Sequence, residues 1–216
     1  MADLLREIDE ELQREHMMAL WAKYKQVVLT LALALVVGTA SYSAWQDHSK
    51  VEKTKRSVAL YDIMSRSKIT EAEKLEALQG FVREFQGKGQ AIIARFVISD
   101  IQARSGALPQ AVATLENVAQ DQTVPELMRK YAGFQALQLQ IDTGDAAMLR
   151  QKLEPFLAAG EPWRFSAKAL QGLLLAKNGD SVQANAIFSA LVKDDDAPTS
   201  VREYAHELAA YYATKE

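Results

Sequence analysis

Three histidines, His16, His48 and His206, have the strongest claim to acid–base or metal chemistry in this chain. An imidazole titrates near neutral pH and is a common metal ligand, but a site needs partners at set spacings. His16 and His48 stand at opposite ends of a long apolar run, and His206 stands alone near the C-terminus. They cannot share a metal or form a catalytic pair. Cysteine is absent, which removes thiol catalysis, disulfides and cysteine-ligated zinc. Gly87-Lys88-Gly89 is too short to cradle a phosphate. Asp194-Asp195-Asp196, just before Pro198, lacks the alternating spacing of a calcium loop. No serine elbow, zinc motif or nucleotide fingerprint appears. The chain reads as non-enzymatic, with no cofactor and no metal.

The elements around these residues say more. From Val27 to Trp45 the sequence VVLTLALALVVGTASYSAW carries no charge. About 20 apolar residues at 1.5 Å rise match the roughly 30 Å hydrocarbon core of a bilayer, and a helix satisfies its own backbone there. Trp21 and Tyr24 flank the run on one side, with Tyr42 and Trp45 at its far end, where amphipathic rings favour the headgroup region. The expectation is one transmembrane helix over residues 26–46, contacting lipid from Val27 to Trp45. A buried core helix is rarely so uniformly apolar. A cleavable signal peptide would have a shorter run and a basic start. The residues before the run instead hold Asp3, Glu7, Asp9, Glu10, Glu11 and Glu15 against Arg6, Arg14, Lys23 and Lys25. Lys and Arg near the two boundaries leave orientation open: Arg14, Lys23 and Lys25 face Lys50, Lys53, Lys55 and Arg56.

Residues 1–25 are then an acidic tail, and residues 47–216 are long enough for one domain with its own core. The chain has 25 basic and 28 acidic residues, of which four and six precede residue 47, leaving that domain a net charge of −1. No basic surplus or stripe marks a nucleic-acid binder, and no feature points to a small-molecule substrate.

The domain is rich in Ala, Leu, Gln, Glu and Lys at helical spacing, so the fold class is all-α. Ser105-Gly106, Thr143-Gly144 and Asn178-Gly179 place a glycine, suited to a left-handed helix end, at intervals of 38 and 35 residues. Positions counted from these glycines repeat. Twelve before are Ala94, Ala132 and Ala167, and five before are Ile101, Leu139 and Leu174. Five after are Ala111, Leu149 and Ala184, and nine after are Leu115, Leu153 and Phe188. Twelve after are Val118, Phe156 and Leu191. Pro125, Pro162 and Pro198 follow the glycines at 19, 18 and 19 residues, where each starts the next unit. Pro155 should shorten or kink a second helix. Thr70-Glu71-Ala72-Glu73 reads as a capping box, opening a helix that runs through Phe85.

A helix–turn–helix unit of about 34 residues with this size pattern resembles the tetratricopeptide repeat. Gly172, seven before Gly179, matches that repeat's first-helix glycine, while Ser99 and Leu137 depart from it. The resemblance implies a short right-handed superhelix of helical hairpins. A generic helical bundle shares the Ala/Leu periodicity and stays open here. Such repeats present a concave face made by their first helices. The repeat pattern puts Phe96, Asp100 and Arg104 on that face, then Tyr131, Phe134 and Gln138, then Ser166, Ala169 and Leu173. Phe96 and Phe134 are equivalent positions, read either as aromatic contacts for a protein partner or as core between helices. No cluster of bases suited to clamping a terminal carboxylate accompanies them.

Arg6-Glu7-Ile8-Asp9-Glu10-Glu11-Leu12, then Trp21, Tyr24 and the apolar run, resembles the start of YfgM-like proteins, ancillary subunits of the bacterial Sec translocon. The resemblance implies an inner-membrane protein with a cytoplasmic N-terminus and periplasmic repeats. Its implied partners are the Sec translocon, a membrane-anchored periplasmic chaperone and client polypeptides passed between them. Two alternatives stay open. One is an envelope scaffold for cell-wall or outer-membrane assembly; the other is a regulator whose repeats face the cytoplasm.

Overall fold

Small residues facing large ones at fixed distances from a glycine give helix pairs that lie close together, and the chain folds as a series of such pairs. The computed structural model describes the backbone of residues 2–213, and only part of the side chains within the first 47 residues. Two compact units are present, Met1–Val58 and Ala59–Glu216. Helix α1 covers Ala2–Ser65, and its residues from Ala59 onward belong to the second unit. That unit continues with α2 (Glu71–Glu84), α3 (Gly89–Arg104), α4 (Leu108–Gln120), α5 (Glu126–Leu139), α6 (Ala146–Leu153), α7 (Arg164–Lys177), α8 (Ser181–Val192) and α9 (Thr199–Ala213). Among the described residues there is no strand.

The residues 27–45 lie inside α1. Among the described residues no helix is long and apolar enough to cross a membrane. The side chains of residues 27–29 and 31–34 lie outside the described residues, and so does much of the ground for expecting a crossing there. The side chain of His16 also lies outside them.

The repeat register holds in three hairpins, α3–α4, α5–α6 and α7–α8. Every position counted from the glycines is buried except Leu139 and Phe156, which are half-buried against neighbouring clusters. Ala94, Ala132 and Ala167 are fully covered, as close helix approach requires. Leu115 shares a core cluster with Ala132 and Leu153 with Ala167, so the large residue of one unit packs with the alanine of the next; Phe188 is fully buried in the last cluster. Full burial of one such side chain contributes about 1.5–3 kcal/mol. Ser99 stands where the third unit has Gly172; it is buried and donates its hydroxyl to the Ala111 carbonyl at 3.2 Å.

Helix ends follow local chemistry. Thr70 and Glu73 form the reciprocal capping box: the Thr70 N–H donates to Glu73 Oε2 at 2.7 Å, and the Glu73 N–H to Thr70 Oγ1 at 3.2 Å. Asp145 and Asp180 cap α6 and α8 by accepting from Met148 and Gln183. Gly106 and Gly179 adopt φ of +81° and +86°, the left-handed ends expected of them.

Gly144 does not, and that expectation needs correcting. Helix α5 stops at Leu139, and residues 140–143 form an added turn. Gly144 therefore lies beyond the helix end rather than on it. Its role is close approach: a Cβ there would sit 2.9 Å from both the Gln140 carbonyl and Leu149 Cδ1. Pro155 acts as expected, since α6 gives way to a 3₁₀ turn at Glu154–Leu157. Pro125 and Pro198 stand immediately before α5 and α9.

Candidate protein-interaction surface

Helices α3, α5, α7 and α9 line two hollows that share Gln138 and together form the inner groove. Its first hollow, about 190 Å³, lies between Phe96, Ser99 and Asp100 of α3 and Tyr131, Gln135 and Gln138 of α5. Its second hollow, about 370 Å³, lies among Ile141, Ala169, Leu173, Val201 and Tyr204. Gln138 borders both hollows. Of the expected face, Phe96, Asp100, Tyr131 and Gln138 line the first hollow, and Gln138, Ser166, Ala169 and Leu173 line the second.

Two expected residues are placed differently. Phe134 is 2% exposed and belongs to the core with Leu137, Leu153 and Leu170. Phe156 packs against it at 5.4 Å and Trp163 stacks on it at 6.4 Å, so its ring is not available to a partner. Arg104 is exposed but lines neither hollow. Its guanidinium bonds Asp100 at 3.0 Å and Glu71 at 3.1 Å, tying α3 to the start of α2. Asp100 first, then Glu71, raises its pKa above the ordinary arginine value.

The rings form a chain rather than two equivalent contacts. Phe96 lies 5.5 Å from Tyr131, and Tyr131 stacks on Trp163 at 5.6 Å. Tyr131 is exposed, with its hydroxyl accepting from Gln135 at 2.8 Å. Ile93, three residues before Phe96, and Leu127, four before Tyr131, are also exposed and share those helix faces. Charges beside the rings are paired within the protein. Lys130 meets Glu161 at 2.7 Å and Glu126 at 3.4 Å, with the Glu161 hydrogen bond raising its pKa.

Sequence reasoning passed over Trp163 and Tyr204. Trp163 precedes α7 in a connecting segment, outside the pattern counted from glycines. Tyr204 lies in α9, which has no following glycine to count from. A usable signal was the late proline: Tyr131 and Tyr204 each come six residues after one, Pro125 and Pro198.

The residues considered for chemistry have ordinary roles. The Asp194 carboxylate accepts from the Asp196 N–H at 3.2 Å and lies 3.7 Å from Lys168 Nζ. His48 and His206 are exposed. Among the described residues no group of three or more metal-ligating side chains gathers.

A sequence model described as the tetratricopeptide repeat-like domain matches residues 19–206. The chain belongs to that family. Its helix pairs, glycine-registered core and inner groove are the family's architecture carried by an irregular sequence. The solved structure of the MamA RS-1 ArsTM double mutant is similar in fold, with a TM-score of 0.50 and 17% identity, covering 75% of this chain and 90% of that one. No curated protein matches the chain. The generic-bundle alternative is thereby set aside. A tetratricopeptide-like fold is typically a non-enzymatic module for binding proteins.

Proposed function

We propose that this protein is a membrane-anchored adaptor of the YfgM-like kind, working beside the Sec translocon and passing secretory or outer-membrane clients to periplasmic chaperones. The observation that supports the binding role is the pair of inner-face hollows that share Gln138. The family match spans the apolar run, beginning at residue 19 ahead of it. Leu35, Val36, Val37, Tyr42 and Trp45 are all exposed on α1, and a lipid environment would cover apolar side chains of that kind. In this reading residues 1–25 are a cytoplasmic tail, 26–46 the membrane helix and 47–216 the periplasmic repeat domain. Tethering beside the channel raises the local concentration of the groove where clients emerge.

The absence of cysteine gives a clean test. Ser105 is exposed at the end of α3. Ser105→Cys and, separately, Ala2→Cys are treated in intact spheroplasts with a membrane-impermeant maleimide. Labelling at 105 but not at 2 is expected; the reverse puts the repeats in the cytoplasm and favours the regulator. Sec subunits should co-purify with the full chain. If only cell-wall or outer-membrane assembly proteins do, the envelope-scaffold reading replaces this one.

A further inference from the structure

The second hollow exists because the third unit carries a methyl group where the first two carry a ring. Ten residues before each glycine stand Phe96, Phe134 and Ala169. Tyr131 packs against the first of these rings and Trp163 against the second. Ala169 fills no such volume, and the 370 Å³ hollow opens over it, walled by Ile141, Leu173, Val201 and Tyr204, with Ser166 and Ser200 among its lining. No residue lining this hollow is charged. On its rim Gln138 is exposed, and among the described residues its side-chain amide makes no hydrogen bond within the protein. The first hollow has no base in its lining either.

The geometry points to the Ala169 hollow as a receptor for an aromatic side chain on an extended, uncharged polypeptide segment. Gln138 pairs with that segment's backbone, and the Phe96–Tyr131 hollow takes a second apolar side chain. An uncharged hollow with mostly apolar walls gains by covering a ring. A primary amide offers a donor and an acceptor together, matching the N–H and C=O of an extended residue. A charged side chain or a terminal carboxylate would lose its hydration there with no opposite charge to meet it. This assignment rests on the reading of the groove as a binding surface for clients and specifies which segments it accepts.

The test uses the purified full chain and a fluorescein-labelled peptide, acetylated and amidated, with two phenylalanines two positions apart among serines and threonines. In an extended segment that spacing puts both rings on one side. Fluorescence anisotropy should show binding. Ala169→Phe, which supplies the missing ring, and Gln138→Ala, at an exposed position, should each weaken it about tenfold, equivalent to about 1.4 kcal/mol. Both should keep the wild-type circular dichroism; should Ala169→Phe not fold, Gln138→Ala alone carries the comparison. Replacing the two phenylalanines by aspartates should weaken binding by at least the same factor, and a free carboxyl terminus should add nothing. Unchanged affinity in the folded variants, equal binding of the aspartate peptide, or no binding of the phenylalanine peptide overturns the assignment. Continued co-purification of Sec subunits in that event would leave the adaptor reading standing and remove only the ligand.

Discussion

Gly172→Ala separates helix propensity from packing, which pull in opposite directions at this position. A Cβ on residue 172 would lie 2.6 Å from Phe188 Cε1 and 2.7 Å from Cζ. Carbon atoms prefer about 3.5–4.0 Å, so the ring or the helix must move by about 1 Å. Phe188 is fully buried and its ring stacks on Tyr212 at 5.8 Å, which leaves it no free direction. Overpacking of this kind costs about 1–3 kcal/mol, and the rigid ring places this case near the top of that range. Alanine in a helix interior returns about 1 kcal/mol relative to glycine. The net loss is about 2 kcal/mol, a fall of about 4–8 °C in the thermal midpoint for a domain of this size. Gly133→Ala is the matched control. Its Cβ would meet Ala119 and Phe156 at an ordinary 3.8 Å, so propensity alone should raise the midpoint. Phe188→Leu combined with Gly172→Ala should lose less than the sum of the two single changes, because the methyl then occupies space the ring vacates. Circular dichroism melts of the full chain read the wild type and all four variants. A rise in midpoint for Gly172→Ala, or strict additivity with Phe188→Leu, would refute the reasoning.

Three further outcomes follow from local chemistry. Asparagine tolerates left-handed backbone, so Gly106→Asn should cost only a few tenths of a kcal/mol, whereas Gly144→Asn must displace a backbone carbonyl and should cost about 1–3 kcal/mol; equal melts of the two variants would contradict these roles. Asp121 is held at a pKa of about 2, against an ordinary 3.8, by the Thr123 hydroxyl first and then by Arg95. Its depressed pKa contributes stability above pH 3.8 that is lost as pH falls toward 2, so urea titrations should show the gap between wild type and Asp121→Asn closing across that window. Thr70→Ala removes the capping box of α2 and should destabilise by about 1 kcal/mol; a wild-type urea midpoint would mean the cap carries no weight there.

The repeat architecture was legible because packing by size is written at constant offsets. Alanines twelve before each glycine and large residues nine after it can be marked as core without tertiary information. The groove was legible less completely, and Phe134 shows why. The offset that places a ring on the inner face of a helix says nothing about what the next unit lays across it. Trp163 covers Phe134 from a connecting segment, and no periodicity reports on such segments. Gly144 marks a similar limit. A glycine spaced like its counterparts was read as a helix end, but α5 stops early and the glycine makes room for Leu149 instead. The ion pairs of Arg104 and Lys130 join residues far apart in sequence, Glu71 and Glu161, and so had no local signature.

The ring positions also explain why the groove differs along its length. Phe96 and Phe134 occupy equivalent places, yet only Phe134 is buried, because the covering residue changes. Tyr131 meets Phe96 at a 43° tilt and leaves it half-exposed, while Trp163 lies nearly parallel to Phe134 at 19° and Phe156 closes its other side. In the third unit there is no ring at this place to cover, and Tyr204 instead stands on the wall of the space. The core needs only the small residue twelve before each glycine and the large one nine after it. The residue ten before varies more: Phe96 lines the first hollow, Phe134 is core, and Ala169 is buried beneath the second hollow.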